Sequence, residues 1–127
     1  MSERRRVASG SPFEDRFAFC RALRTGNRVL VSGTAPVWED GHVDPDPAPQ
    51  ARRCLEIVSG ALDGLGASLV DVVRTRIYLV DPSDGDAVGS VHAEYFAEHR
   101  PTATMVVVAA LLDPRWKVEI EAEAVLG

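Results

Sequence analysis

The charged side chains of this sequence fall in rows rather than in catalytic triplets. Glu119, Glu121 and Glu123 alternate with Val118, Ile120, Ala122 and Ala124, while Arg74, Arg76 and Tyr78 alternate with Val73, Thr75, Ile77 and Leu79. On adjacent strands such rows share one face, where carboxylates and guanidinium groups of neighbouring strands pair. The familiar signatures are absent: no GxSxG elbow, no GxxxxGK[ST] phosphate loop, no HExxH and no GxGxxG. His42, His92 and His99 lack zinc-site spacing, and His92 and His99 read as helix-surface residues, so no metal is expected. Cys20 and Cys54 form no CxxC pair and read as reduced thiols of a cytoplasmic protein. Cys54 falls on an apolar helical stripe and belongs to the core, whereas Cys20 sits on a strand where it would line a pocket.

The elements that must carry these rows follow from periodicity. Residues 1–15 are polar, with Gly10 and Pro12, and read as a mobile or loosely docked arm ahead of a single domain over residues 16–127. Phe17, Phe19, Arg21 and Leu23 alternate with small residues, predicting a strand; Gly26-Asn27 turns the chain and residues 28–32 return as its hairpin partner. Trp38 to Pro49 reads as a loop. Ala51, Cys54, Leu55, Val58, Leu62 and Leu65 form one helical stripe, ended by Gly66. Gly60 and Gly64 weaken that helix unless they permit close packing. A strand over 71–80, a helix from Val88 to about His99 stopped by Pro101, and strands over 104–109 and 118–125 complete the order β-β-α-β-α-β-β. That order predicts an α+β domain with both helices on one face of the sheet.

Composition sets the outer limits. Nineteen acidic against fourteen basic side chains give a formal charge of −5, which argues against a nucleic-acid partner. No apolar run approaches the ~18 residues of a membrane span, and no signal-peptide core follows the charged N-terminus. The sheet face away from the helices carries Arg74, Arg76, Tyr78 and the three glutamates, with Phe17 and Phe19 on or near it. A solvated antiparallel face explains the alternation, but several aromatics on so small a domain point to a covered, oligomeric face.

Taken in order, several segments resemble the Rid/YjgF family of imine/enamine deaminases. The carriers are Gly26-Asn27-Arg28-Val29-Leu30-Val31-Ser32-Gly33, Gln50-Ala51-Arg52, the run from Gly66 to Thr75, Tyr95-Phe96 with Pro101, and Val118 to Val125. The resemblance covers residues 17–126 and implies a chorismate-mutase-like fold with a mixed sheet, assembled as a homotrimer with ligand clefts between subunits. It also implies hydrolysis of the C=N bond of 2-imino acids, without metal or organic cofactor, with water attack helped by a glutamate of the last strand, here Glu119.

The match departs from the family at its substrate anchor. The family's arginine, two residues after the proline, holds the substrate carboxylate by a bidentate pair; Ala103 stands there instead. Gly89 replaces an asparagine, Phe19 a tyrosine and Met105 a cysteine, while Ser32 and Glu119 are retained. Losing the clamp removes ~2–4 kcal/mol of transition-state binding and slows a standard 2-imino acid tens- to a thousandfold. Two functions therefore stand. One is a divergent C–N hydrolase, with Glu119 handling water, Ser32 and Thr104 binding substrate, and Arg76 either replacing the lost cation or pairing structurally with Glu119 or Glu121. The other is a non-catalytic small-molecule binder whose cleft Phe19, Ala103 and Met105 make more apolar. A ribonuclease reading is disfavoured by the acidic charge and the lack of two positioned histidines.

Overall fold

The computed structural model describes residues 3–127, which run β1 (Arg4–Val7), α1 (Pro12–Phe17), β2 (Ala22–Thr25), β3 (Arg28–Thr34), α2 (Pro47–Asp63), β4 (Val72–Leu79), α3 (Gly85–Phe96), β5 (Thr102–Val107) and β6 (Val118–Val125). The strands form one mixed sheet in the order β1-β2-β3-β6-β4-β5, in which only β4 and β5 run parallel. Helices α2 and α3 pack against each other over the sheet, enclosing Leu55, Val58, Leu62, Ile77, Ile120 and Phe96. This is the α+β arrangement expected of the sequence. No helix among the described residues is long and apolar enough to cross a membrane.

The N-terminal segment differs most from expectation. Of the fifteen residues read as an arm, Met1 and Ser2 lie outside the described residues, and Arg4–Val7 instead adds an edge strand to β2. Arginines suit an edge because their charge discourages pairing with a further chain. Arg5 Nη2 also donates to the Leu65 carbonyl at 3.3 Å. Phe17 to Cys20 is not a strand: the strand begins at Ala22, and Phe17 closes a short helix. Ser11 Oγ caps that helix by accepting from the Phe13 N–H at 3.2 Å, and Pro12 suits its first position. Buried Glu14 ties the preceding loop down by accepting from the Ser9 N–H at 3.1 Å and from the Ser9 hydroxyl.

Smaller differences have equally local causes. Helix α2 begins at Pro47, four residues before the apolar stripe, because prolines in a first turn have no hydrogen bond to lose. Gly64 does permit close packing, since a Cβ there would lie 3.1 Å from Val7 Cγ1; Gly60 faces open space. Gly66, at φ +78°, lets the Ala67 N–H reach back to the Leu62 carbonyl at 2.9 Å. A register shift between Val72 and Arg74 turns Val73 away from the helices, so it is 43% exposed rather than core. Strand β5 starts two residues before the expected Thr104, and α3 ends at Phe96 rather than near His99.

Gln50, fully buried at the start of α2, joins three segments. Its Nε2 donates to the carbonyls of Asp44 (2.7 Å) and Arg115 (2.9 Å), and its Oε1 accepts from the Lys117 N–H at 2.7 Å. It thereby fixes both loops that carry the chain's tryptophans, Trp38 and Trp116. Gln50→Leu keeps the volume but strips partners from partly buried backbone groups, so a loss of about 2–4 kcal/mol is expected, read as a lower urea midpoint with an unchanged slope.

Candidate functional site

The charged rows do share the open face of the sheet, and their pairing is uneven. Glu123 takes Arg28 and, at 4.0 Å, Arg74 Nε. Glu121 takes Arg76 Nη1 at 3.6 Å and accepts the Tyr78 hydroxyl. Glu119 has neither an ion pair nor a hydrogen bond among the described residues. Of the two roles open to Arg76, the chain supplies a partner for the structural one, and it is Glu121 rather than Glu119.

Glu119 is set apart by the end of β3. Val31 pairs with Ala122 and Thr34 with Ile120, so β3 carries one residue more than β6 across this stretch. The resulting bulge brings Gly33 over the Glu119 carboxyl; a Cβ there would lie 3.3 Å from Cδ and 3.4 Å from Oε2. Ser32 secures the neighbouring segment, its hydroxyl donating to the Cys20 carbonyl (2.7 Å) and its N–H to that of Arg21 (3.0 Å). Arg21 completes the loop by donating from Nη2 to the Gly33 carbonyl at 2.7 Å.

Glu119, Phe19, Gly33 and Arg21 border a cavity of about 620 Å³ at this end of the sheet. Phe13 and Phe17 of α1 form one wall, stacked with ring centroids 5.8 Å apart, and Trp38 and Trp116 contribute from the two loops. Arg53, also at the rim, already donates from Nε to the Val37 carbonyl at 2.7 Å. Burial raises the Glu119 carboxyl above its ordinary range, outweighing the attraction of nearby Arg21, and the Glu121 charge adds to the rise. Burial likewise lowers Arg21, against the pull of Glu14 and Glu119. A carboxyl of this kind changes protonation closer to neutrality than an exposed one, as proton transfer at a reacting centre requires.

The other expected site residues gather elsewhere in the chain. Met105 turns toward α3, its Sδ 3.8 Å from where Gly85 would carry a Cβ and its Cε 4.0 Å from the same point on Gly89. Ala103 and Thr104 lie on the exposed edge strand β5, in register with Thr75 and Arg76. None of Arg76, Gly89, Ala103, Thr104 and Met105 borders the cavity, and Ser32 supports it from behind. Cys20 is half-buried in the loop before β2, and Cys54 is buried, its thiol pushed well up by desolvation. No histidine borders the cavity among the described residues; His92 Nε2 meets Thr75 Oγ1 at 2.8 Å. Sequence reasoning missed Arg21, Phe13 and both tryptophans, which come from separate segments.

A mixed sheet, two helices across it and a ligand-sized chamber bordered by a half-buried, unpaired carboxyl define a small α+β domain. The family described as Endoribonuclease L-PSP matches residues 12–126, and the chain belongs to it, the Rid/YjgF family of the sequence resemblance. The crystal structure of Rv2704 from Mycobacterium tuberculosis, a member of the YjgF/YER057c/UK114 family, is 44% identical with a TM-score of 0.91, over 98% of this chain and all of that one. The 2-iminobutanoate/2-iminopropanoate deaminase of Escherichia coli is 34% identical, across 84% of this chain and 86% of its own length. The 3-aminoacrylate deaminase RutC of Acinetobacter baylyi is 40% identical, across 81% and 82%.

The raised Glu119 carboxyl has a sign that stability measurements can read. The folded protein holds this proton to higher pH than the unfolded chain does, so stability falls as pH rises from the unfolded value, about 4.3, through the folded one. Glu119→Gln lacks the ionisation, so its melting temperature relative to the parent protein should be higher at pH 7 than at pH 4.

Proposed function

We propose that the chain hydrolyses the C=N bond of a small imine, or of the imine tautomer of an enamine, releasing ammonia, with Glu119 handling the protons of the attacking water. The observation that carries this reading is that Glu119, alone of the three glutamates on β6, faces the cavity without a counter-ion. The deaminase-named relatives support the reaction class. Water adds to the imine carbon while Glu119 accepts its proton and the nitrogen gains one; collapse of the carbinolamine leaves a carbonyl and ammonia. Atoms balance as one imine plus one water giving one carbonyl compound and one ammonia, with no oxidant or metal in the step.

The assembly proposed for this chemistry is a homotrimer. Leu30 and Val106 are 40% and 41% exposed on the face that carries the ion-pair rows, which supports a covered face. Two sets of expected site residues lie apart in one chain, Phe19 and Glu119 at the cavity and Gly89, Ala103, Thr104 and Met105 at α3 and β5. In the proposed trimer the second set belongs to a neighbour's cleft. With alanine at position 103 that neighbour brings no cation, which is why a small 2-imino acid should be a slow substrate. The apolar cavity walls favour the second reading, a binder without turnover.

Generating 2-aminoacrylate and 2-iminobutanoate in situ and following release of ammonia or 2-oxo acid tests both. The parent protein is expected to turn these over slowly and Ala103→Arg at least tenfold faster, while Glu119→Gln in either background loses about a hundredfold or more. No acceleration by the parent protein or by Ala103→Arg would leave the binder; rates unchanged by the Glu119→Gln substitution would remove Glu119 from the chemistry.

A further inference from the structure

The cavity holds a cation that neither the ion-pair rows nor the proposed hydrolysis uses. The Arg21 guanidinium makes one hydrogen bond among the described residues, from Nη2 to the Gly33 carbonyl, and its Nε is buried with no partner at all. It is the only buried side-chain nitrogen or oxygen so placed among the described residues. A buried donor left unpaired is costly, more so on a charged group, and native structures keep few of them. Glu119 does not relieve it, since the two form no ion pair despite sharing the cavity. Ser32 and Gly33 hold Arg21 in place through its backbone and Nη2, so the guanidinium is fixed rather than wandering; its Nε is shielded, and a ligand in the cavity would meet the guanidinium at its outer nitrogens.

We propose that Arg21 is the carboxylate anchor of this cavity and that its ligand is a 2-imino acid with an aromatic side chain, the carboxylate on Arg21, the C=N beside Glu119 and the ring among Phe13, Phe17, Trp38 and Trp116. The proposal rests on the hydrolytic reading for the C=N group, while its binding claim is tested without turnover. Charge order selects the ligand class. A phosphate dianion on Arg21 would face the Glu119 carboxyl, whereas a 2-imino acid sets one negative charge directly beside a nitrogen able to share a proton with it. Shape selects the side chain: five aromatic residues border a volume within the range of ligand-sized pockets, most of which a four-carbon imino acid would leave to water. The anchor lies on the same chain as Glu119, unlike the vacant position at Ala103, so it replaces the lost cation with a different geometry rather than restoring it.

Both tryptophans of the chain border the cavity, so their fluorescence reports its occupancy. The full-length protein is titrated with three unreactive probes: 3-phenylpropanoate, the neutral 3-phenylpropanol and the ring-less propanoate. The parent protein should bind 3-phenylpropanoate saturably and at least tenfold more tightly than either of the others. Arg21→Gln should weaken the acid about tenfold or more and change the alcohol less than twofold. If Arg21→Gln does not fold, Arg21→Lys, which keeps the charge but not the planar fork, should give the same selective weakening to a smaller degree. An acid affinity unchanged by these substitutions, equal weakening of acid and alcohol, propanoate binding as tightly as 3-phenylpropanoate, or no saturable response would each overturn the proposal. Carboxylate-selective binding without imine turnover would sink the hydrolytic reading and leave this site standing; turnover without such binding would do the reverse.

Discussion

The site depends on a local imbalance of charge on β6. Three glutamates leave that strand on one face, and the facing strands carry Arg28, Arg74 and Arg76, all of which go to Glu121 and Glu123. The third glutamate falls where β3 bulges, opposite a glycine rather than a cation. Arg21 is near enough to be felt but turns its Nη2 to the Gly33 carbonyl. Desolvation therefore outweighs attraction at Glu119. A half-buried carboxyl without a hydrogen-bonded partner is unfavourable to the fold, which is the usual mark of a group kept for chemistry rather than for stability.

The rest of the molecule can be read as support for that arrangement. Helices α2 and α3 bury the aliphatic side of the sheet, which frees the other side to carry charge. Gln50 fixes the loops bearing Trp38 and Trp116, and the Ser9–Glu14 contact fixes the approach to α1. The aromatic wall thus rests on three separately anchored segments. Ser32 acts at one remove: its hydroxyl is engaged with Cys20, so its effect on a ligand runs through Arg21 and Gly33. The identity shared with deaminase-named relatives supports the proposed reaction class, and the aromatic cavity and Ala103 bear on which substrate the proposal assigns to this chain.

The sheet was legible in the sequence where one face is buried and the other is not. Alternation in β6 and most of β4, and the Gly26-Asn27 turn, correspond to what is observed because period two and positive φ leave few alternatives. Alternation misled at Phe17 to Arg21, where Phe17 and Phe19 face a cavity rather than the sheet, and a six-residue helix is too short to show its own period. Charge misled at Arg4–Val7, since an arginine-rich edge strand and a solvated arm have the same composition. The bulges at Val73 and Gly33 each shift a face by one residue, which spacing alone does not reveal. Glu119 was reached by resemblance, but its lack of a partner, and the presence of Arg21 beside it, exist only once segments a hundred residues apart are brought together.

Glu119 stands apart electrostatically from its two neighbours on the same strand, and everything proposed for the cavity follows from that separation. Carbon-13 NMR titration of the glutamate side-chain carboxyls, assigned by single substitutions, measures it directly. Glu119 is expected to titrate above the ordinary carboxylate range. A Glu119 midpoint within or below the ordinary carboxylate range would contradict this, because it would mean that the carboxyl has a counter-ion after all.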